Sequence, residues 1–290
     1  MSSVYGTNTR LLELPSTKAK GMGTMKTVDE KTVTMNRRKF LEITGVSTIV
    51  GLLGGWGLVE LFAPGELDAS YLPKKEALVA QRWAMLIDMK KFTDQSAEQC
   101  IRTCHRIHNV PDISNPKREI KWIWLEHFAN AFPGEEHEHM PESIEEERFF
   151  VMCNHCDNPP CVRVCPTKAT WQRKDGIIMM DQHRCIGCRY CMAACPFGAR
   201  SFNWGDYRSS IKNRNPEYPT REKGVVEKCN FCAERLAKGL IPACVEESKG
   251  AMIFGDLMDE QSELRKSMRE HYTIRRKPYL GTNPQVYYVI

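Results

Sequence analysis

Thirteen cysteines stand in this 290-residue chain, and eleven of them fall between Cys153 and Cys244 in tight groups. Cys153, Cys156, Cys161 and Cys165 are followed by Pro166, and Cys185, Cys188, Cys191 and Cys195 by Pro196. Disulfide frameworks space cysteines more evenly through small domains, so thiols packed at these intervals point to metal. Structural zinc takes four thiolates in two pairs, whereas each run here carries four cysteines and ends in Cys-Pro. A 4Fe-4S cubane suits that pattern better. It needs four thiolates from different sides, and a short loop wraps only three of them around one face.

The second run has two, two and three intervening residues, the bacterial ferredoxin spacing, and the first run has two additional residues between its second and third cysteines. In two-cluster ferredoxins the last cysteine of each run serves the other cluster, and the proline after it breaks the chain. The expected ligand sets are therefore Cys153, Cys156, Cys161 with Cys195, and Cys185, Cys188, Cys191 with Cys165. A third run, Cys229-Asn-Phe-Cys232 continuing to Pro242-Ala-Cys244, has three thiols and reaches Ser248 where a fourth would stand. An earlier fragment, Cys100-Ile-Arg-Thr-Cys104, has the spacing of the last two members of such a run. Counting back from Cys104 places the first two at Asp94 and Ala97, and counting forward from Ile87-Asp88 places them at Phe92 and Gln95; neither count meets cysteine. His105 follows Cys104, but covalent haem attachment requires Cys-x-x-Cys-His and this fragment has three intervening residues.

These loops need elements to carry them. A composition of 42% hydrophobic and 27% charged residues is that of an ordinary globular protein with a real core. The net charge of +5 is spread along the chain, without the stripe that marks a nucleic-acid binder. The reading is α+β: tandem bacterial-type ferredoxin modules, a double 4Fe-4S ferredoxin fold with insertions, preceded by an N-terminal signal or anchor helix. Residues 84–87 and Lys121-Trp122-Ile123-Trp124 read as strands, and the acidic stretch around Glu135, His137 and His139 as a solvated surface loop.

The N-terminal part is organised differently. Asn36-Arg37-Arg38-Lys39-Phe40-Leu41 precedes a Gly-rich apolar run at 46–62 interrupted only by Glu60, the pattern of a twin-arginine export signal. That route carries folded proteins, which suits clusters assembled before export. The expected organisation is a polar extension at 1–34, with Met35 a candidate start; a signal peptide or membrane anchor at 35–69, with both cleaved and anchored forms open; and the iron-sulfur domain at 70–290. The glycines at 51–57 lack the preceding strand and the acidic residue of a dinucleotide site.

Four runs in this order, with Lys228-Cys-x-Phe-Cys and Pro242-Ala-Cys in the last, resemble the four-cluster ferredoxin subunits of complex iron-sulfur molybdoenzymes over roughly residues 84–257. Within them, the chain is similar to the O subunits of the sulfite-reduction-associated DsrMKJOP complex, called in some archaea the Hdr-like menaquinol oxidoreductase. The stretches carrying this are the twin-arginine start, Cys104-His-x-Ile-His-Asn-Val-Pro111, Lys121-Trp-Ile-Trp124, the damaged first run and Leu280-Gly-Thr-Asn-Pro-Gln-Val-Tyr-Tyr288. The resemblance implies a subunit on the extracytoplasmic face of the membrane. It would relay electrons between an integral quinone-interacting subunit and a multihaem cytochrome c, without catalysis of its own. An electron-transfer subunit of a molybdopterin reductase acting on polysulfide, tetrathionate or nitrite is the alternative. The resemblance also implies that the first and fourth runs swap their last ligands. One set is then Cys104 with Cys229, Cys232 and Cys244, while the converse set retains only Cys100. Three 4Fe-4S clusters on twelve cysteines are expected, with Cys100 left over.

Overall fold

The computed structural model describes residues 75–290. In chain order its helices and strands are β1 (Trp83–Asp88), α1 (Asp94–Ile107), β2 (Ile123–His127), α2 (Phe128–Ala131), α3 (Glu142–Glu145), β3 (Arg148–Met152), α4 (Pro160–Arg163), β4 (Thr170–Gln172), β5 (Ile178–Met180), α5 (Tyr190–Ala193), β6 (Ser201–Phe202), β7 (Val226–Glu227), α6 (Ala233–Leu236), α7 (Ala243–Glu247), β8 (Met252–Asp256), α8 (Glu263–Glu270), β9 (Thr273–Ile274) and β10 (Val286–Val289). The described chain is thus mixed α and β. The signal expected at 35–69, and the extension before it, lie outside the described residues. Among the described residues no helix is long and apolar enough to cross a membrane.

Strand β1, expected from the apolar stretch at 84–87, lies inside a four-stranded sheet of order β8-β1-β10-β9. It runs antiparallel to β8 (Met85 opposite Phe254) and parallel to β10 (Leu86 opposite Tyr287). A strand with partners on both edges and cover on both faces must be apolar where it is covered, and β1 is apolar from Trp83 to Ile87, with Asp88 only at its half-buried end. Met85 and Ile87 face the main core, while Ala84 and Leu86 face a smaller cluster with Leu264 of α8. The parallel pairing joins the two ends of the described chain, so the cysteine region is held between them. Each central run continues as a loop, a one-turn helix and a short strand. The antiparallel hairpin β4–β5 (Thr170 opposite Met180) connects the two, and β6 pairs with β7.

Strand β2 begins at Ile123 rather than Lys121, because Trp122 turns inward onto His108 at 4.3 Å between ring centroids. β2 pairs with β3, Leu125 opposite Phe150. The stretch at Glu135, His137 and His139 is exposed, as expected of a solvated loop. The damaged first run is a continuous helix. Thr93 caps α1, and Thr93 and Ser96 exchange backbone-to-hydroxyl hydrogen bonds at 2.9 and 3.2 Å. Ala97, Cys100, Thr103 and Cys104 form its buried stripe at helical spacing, packed on α7.

Candidate iron-sulfur centres

The Cys-x-x-Cys loops that open at Cys153, Cys185 and Cys229 share one backbone device. Their second intervening residue is left-handed: His155 at φ 42°, Gly187 at φ 70° and Phe231 at φ 53°. Such a residue curls the loop so that both thiols turn to one side, which a strand, with i and i+3 on opposite faces, does not do. For the non-glycine residues it costs about 1–2 kcal/mol each, a strain of the kind that persists at functional sites. At Gly187 a Cβ would stand 2.4 Å from the Gly224 carbonyl oxygen, so glycine is required for room as well as for φ. No residue of α1 adopts this conformation.

Cys153, Cys156, Cys161 and Cys195 line one cavity with Ile178, Phe197 and Arg200, at the centre of the cysteine region. Burial, then repulsion from Cys153, Cys195 and Cys161, pushes the Cys156 thiol up to about 12, and the Thr282 hydroxyl, buried without a partner, faces it. Cys185 and Cys191 neighbour each other, and Cys188 follows Gly187 in the same loop. Cys165 follows α4, which packs on α5, the helix that carries Cys191. Burial raises the Cys165 thiol, but backbone N–H groups of Thr170, Ala169 and Thr167 and the Thr167 hydroxyl outweigh it and hold it below the ordinary value. Backbone groups of Ala199 and Phe197 also favour the Cys195 thiolate, but burial and repulsion from Cys153 outweigh them and raise its thiol.

Cys104 of α1 meets Cys232, Cys229 and Cys244, and burial with their mutual repulsion raises its thiol well above the ordinary value. Its sulfur lies 3.6 Å from Nδ1 of His108, whose Nε2 reaches Glu234 at 2.8 Å. All four of these thiols are buried. The groups adjoin one another. Cys161 neighbours Cys191, and Cys153 neighbours Cys229, so the central group lies between the other two.

The remaining first-run positions meet no such company. Asp94 is paired with Arg148 at 2.6 Å, Ala97 is in the core, Phe92 stacks on Phe150 at 5.4 Å and Gln95 is exposed. The Ser248 hydroxyl donates to the Val245 carbonyl at 2.7 Å and accepts the Met252 N–H at 3.0 Å, so its bonding capacity is used locally. Cys100 is fully buried beside Cys244, its S–H directed at the Cys244 carbonyl at 3.5 Å. Burial, with Glu247 adding, pushes its thiol up to about 12.

Free thiols facing each other across apolar space would repel if ionised, and the surroundings supply the opposite charge. Arg200 and Lys228 are buried at 5% and 3% exposure and have no carboxylate partner among the described residues. Burial opposes the Arg200 charge, but Cys161, Cys191 and Cys153 outweigh it. An unpaired buried cation and an orphaned hydroxyl are expected beside an anionic cluster ligated by thiolates, so these residues fit such a group. The spacing of the cysteines carried no sign of Arg200, Thr282 or His155. Lys228 stands next to Cys229 in the Lys-Cys-x-Phe-Cys motif, but only burial distinguishes it from a surface lysine.

Residues 146–212 match the family model described as a 4Fe-4S dicluster domain. The chain is 36% identical over 278 residues to the Hdr-like menaquinol oxidoreductase iron-sulfur subunit 1 of Archaeoglobus fulgidus, covering 88% of this chain and 97% of that one. It is 34% identical to a tetrathionate reductase subunit of Salmonella typhimurium, covering 88% of each chain. The menaquinone reductase iron-sulfur cluster-binding subunit of Nitratidesulfovibrio vulgaris is also 34% identical, over 72% of this chain and 88% of that one. With four cysteine runs, three sharing one turn, and this extent of identity, the chain belongs to the family of ferredoxin-like iron-sulfur subunits that includes the Hdr-like menaquinol oxidoreductase subunit.

Proposed function

We propose that this chain is the electron-transfer iron-sulfur subunit of a membrane-bound, menaquinol-linked oxidoreductase complex. The observation that carries the reading is the row of three adjoining thiol groups, linked through Cys161 and Cys191 at one junction and Cys153 and Cys229 at the other. In this reading three 4Fe-4S clusters are held, by Cys153, Cys156, Cys161 and Cys195; by Cys185, Cys188, Cys191 and Cys165; and by Cys104, Cys229, Cys232 and Cys244. Each cluster supplies a one-electron carrier. The chain's own residues do the rest: the left-handed turns aim the thiols, α1 closes the third site, and burial of the third group keeps water from it. The packed α1, the local use of Ser248 and the pairing of Asp94 support three sites rather than four.

The partners in this reading are an integral quinone-interacting subunit and a multihaem cytochrome c. The place is the extracytoplasmic face of the membrane, reached by the twin-arginine route through Arg37 and Arg38. The relative from Archaeoglobus fulgidus, spanned over 97% of its length, supports the menaquinol reading over the molybdopterin alternative. Isolation of the intact membrane complex tests it. An integral subunit with quinol-reducible haem or iron centres is the expected companion, and a molybdopterin-bearing partner would sink the reading. The isolated chain is expected not to turn over quinol analogues, because no nucleophile-base pair or substrate cofactor motif accompanies the thiols.

A further inference from the structure

The central thiol group is unlike its neighbours in the charge around it. Arg200 lines its cavity, donating to the Thr170 hydroxyl at 2.8 Å with Met180 Sδ at 3.8 Å. Lys228 Nζ donates to the carbonyl of Ile178, which lines the same cavity, and to that of Cys229 at 2.7 Å. Arg276 is buried beside Phe197 of that cavity, 5.6 Å from its ring centroid, and gives Nε to the Ala131 carbonyl at 3.0 Å. Among the described residues none of the three forms an ion pair with a carboxylate, Glu126 acting on Arg276 only from beyond that range, whereas Arg221, buried to a similar degree, is paired with Glu227. Buried cations without partners are costly, so neutral acceptors alone do not account for two of them on one cavity.

The third group has the opposite surroundings. Lys228 precedes Cys229 of this group and donates to its carbonyl at 2.7 Å, so its charge is shared between the two sites, and the other basic neighbour, His108, has its Nε2 2.8 Å from the Glu234 carboxylate. Glu247 stands on the far side, taking the Thr103 hydroxyl at 3.3 Å. The two adjacent sites therefore share Lys228 and differ by Arg200 at the central one and the carboxylates of Glu234 and Glu247 at the third.

Resting on the ligand sets proposed above, we infer that Arg200, with Lys228 at the junction, forms a cation clamp that makes the central site more easily reduced than the third, so that an electron shared between them resides on the central one. A thiolate-ligated cluster gains one unit of negative charge on reduction, and net charge and hydrogen bonding about the sulfurs set its potential. The step balances within the chain. One electron leaves the third site, which is oxidised, and enters the central site, which is reduced, and no bond forms or breaks. The two side chains are positioning residues and touch no substrate.

The test is a potentiometric titration of anaerobically reconstituted full-length chain, followed by electron paramagnetic resonance, with iron counted on the same samples. The central site is identified as the one coupled magnetically to two neighbours. In the parent protein it is expected to be reduced before the third site. Arg200→Gln and Lys228→Gln are each expected to shift its reduction equilibrium at least tenfold toward the oxidised form, which is 59 mV for one electron. Arg200→Lys and Lys228→Arg should recover most of that shift, which a purely structural role would not require. Full iron with an unmoved central potential, or a third site reduced first in the parent protein, overturns the clamp. Should the glutamine variants lose iron, the order of reduction in the parent protein decides alone. Parent iron well below about twelve per chain, four at each of three sites, overturns the ligand sets and the clamp with them.

Discussion

Cys100 and Cys104 sit one helical turn apart on α1, both buried, and the proposed ligand sets assign them opposite fates. Cys100→Ala removes one sulfur from a fully buried position without opening a polar defect, because the Cys244 carbonyl it faces already accepts the Ser248 N–H at 3.0 Å. Deleting one buried heavy atom costs about 0.5–1.5 kcal/mol, in transfer free energy and residual cavity. About 1 kcal/mol corresponds to a fall of roughly 2–4 °C in Tm for a domain of this size. Iron should stay at about twelve per chain. Cys104→Ala takes a thiol from among Cys229, Cys232 and Cys244 and should lower iron to about eight, four fewer, with loss of one set of resonance signals. The assay is iron and protein quantification after anaerobic reconstitution, with thermal unfolding followed on the same material. Loss of four irons from Cys100→Ala, or full iron in Cys104→Ala, would refute the partition.

Two further outcomes are expected. Glu227 takes the Trp122 indole N–H at 2.7 Å and the Asn203 amide at 2.6 Å, and it neutralises Arg221 with both side chains at 2% exposure or less. Glu227→Ala leaves that guanidinium buried and unpaired, so urea unfolding should show a loss of about 3–5 kcal/mol, with Glu227→Gln losing less; a loss under about 1 kcal/mol for the alanine variant contradicts this. Replacing Arg37 and Arg38 together by lysine should hold the protein in the cytoplasm, read by fractionation of cells, and normal export of the double variant would remove the twin-arginine assignment.

The chemistry of this protein was legible in local spacing. Cubane ligands come from short loops whose intervals are set by the reach of a few residues, so Cys153 through Cys195 could be grouped without knowledge of the fold. Residues 84–87 were legible as a strand for a similar reason, since burial on both faces leaves an uninterrupted apolar run. Asp94, Ala97 and Ser248 marked a depleted run, but what replaced it depended on neighbours far along the chain. Thr93 and Ser96 offer a cap, and α7 offers a surface, so the segment closes as a helix and Cys100 turns into the core. The left-handed turns at His155 and Phe231 had no sequence mark, because only the demand that two thiols face one side selects that strained conformation. The cations were the least legible. Arg200 and Lys228 read as two among 41 basic residues, and their meaning arises from being carried inside without an ion-pair partner among the described residues, Arg200 to a cavity built by cysteines from two separate runs and Lys228 to its junction with Cys229. Charge gains its force from the surrounding dielectric and the absence of a partner, and both are set by tertiary packing.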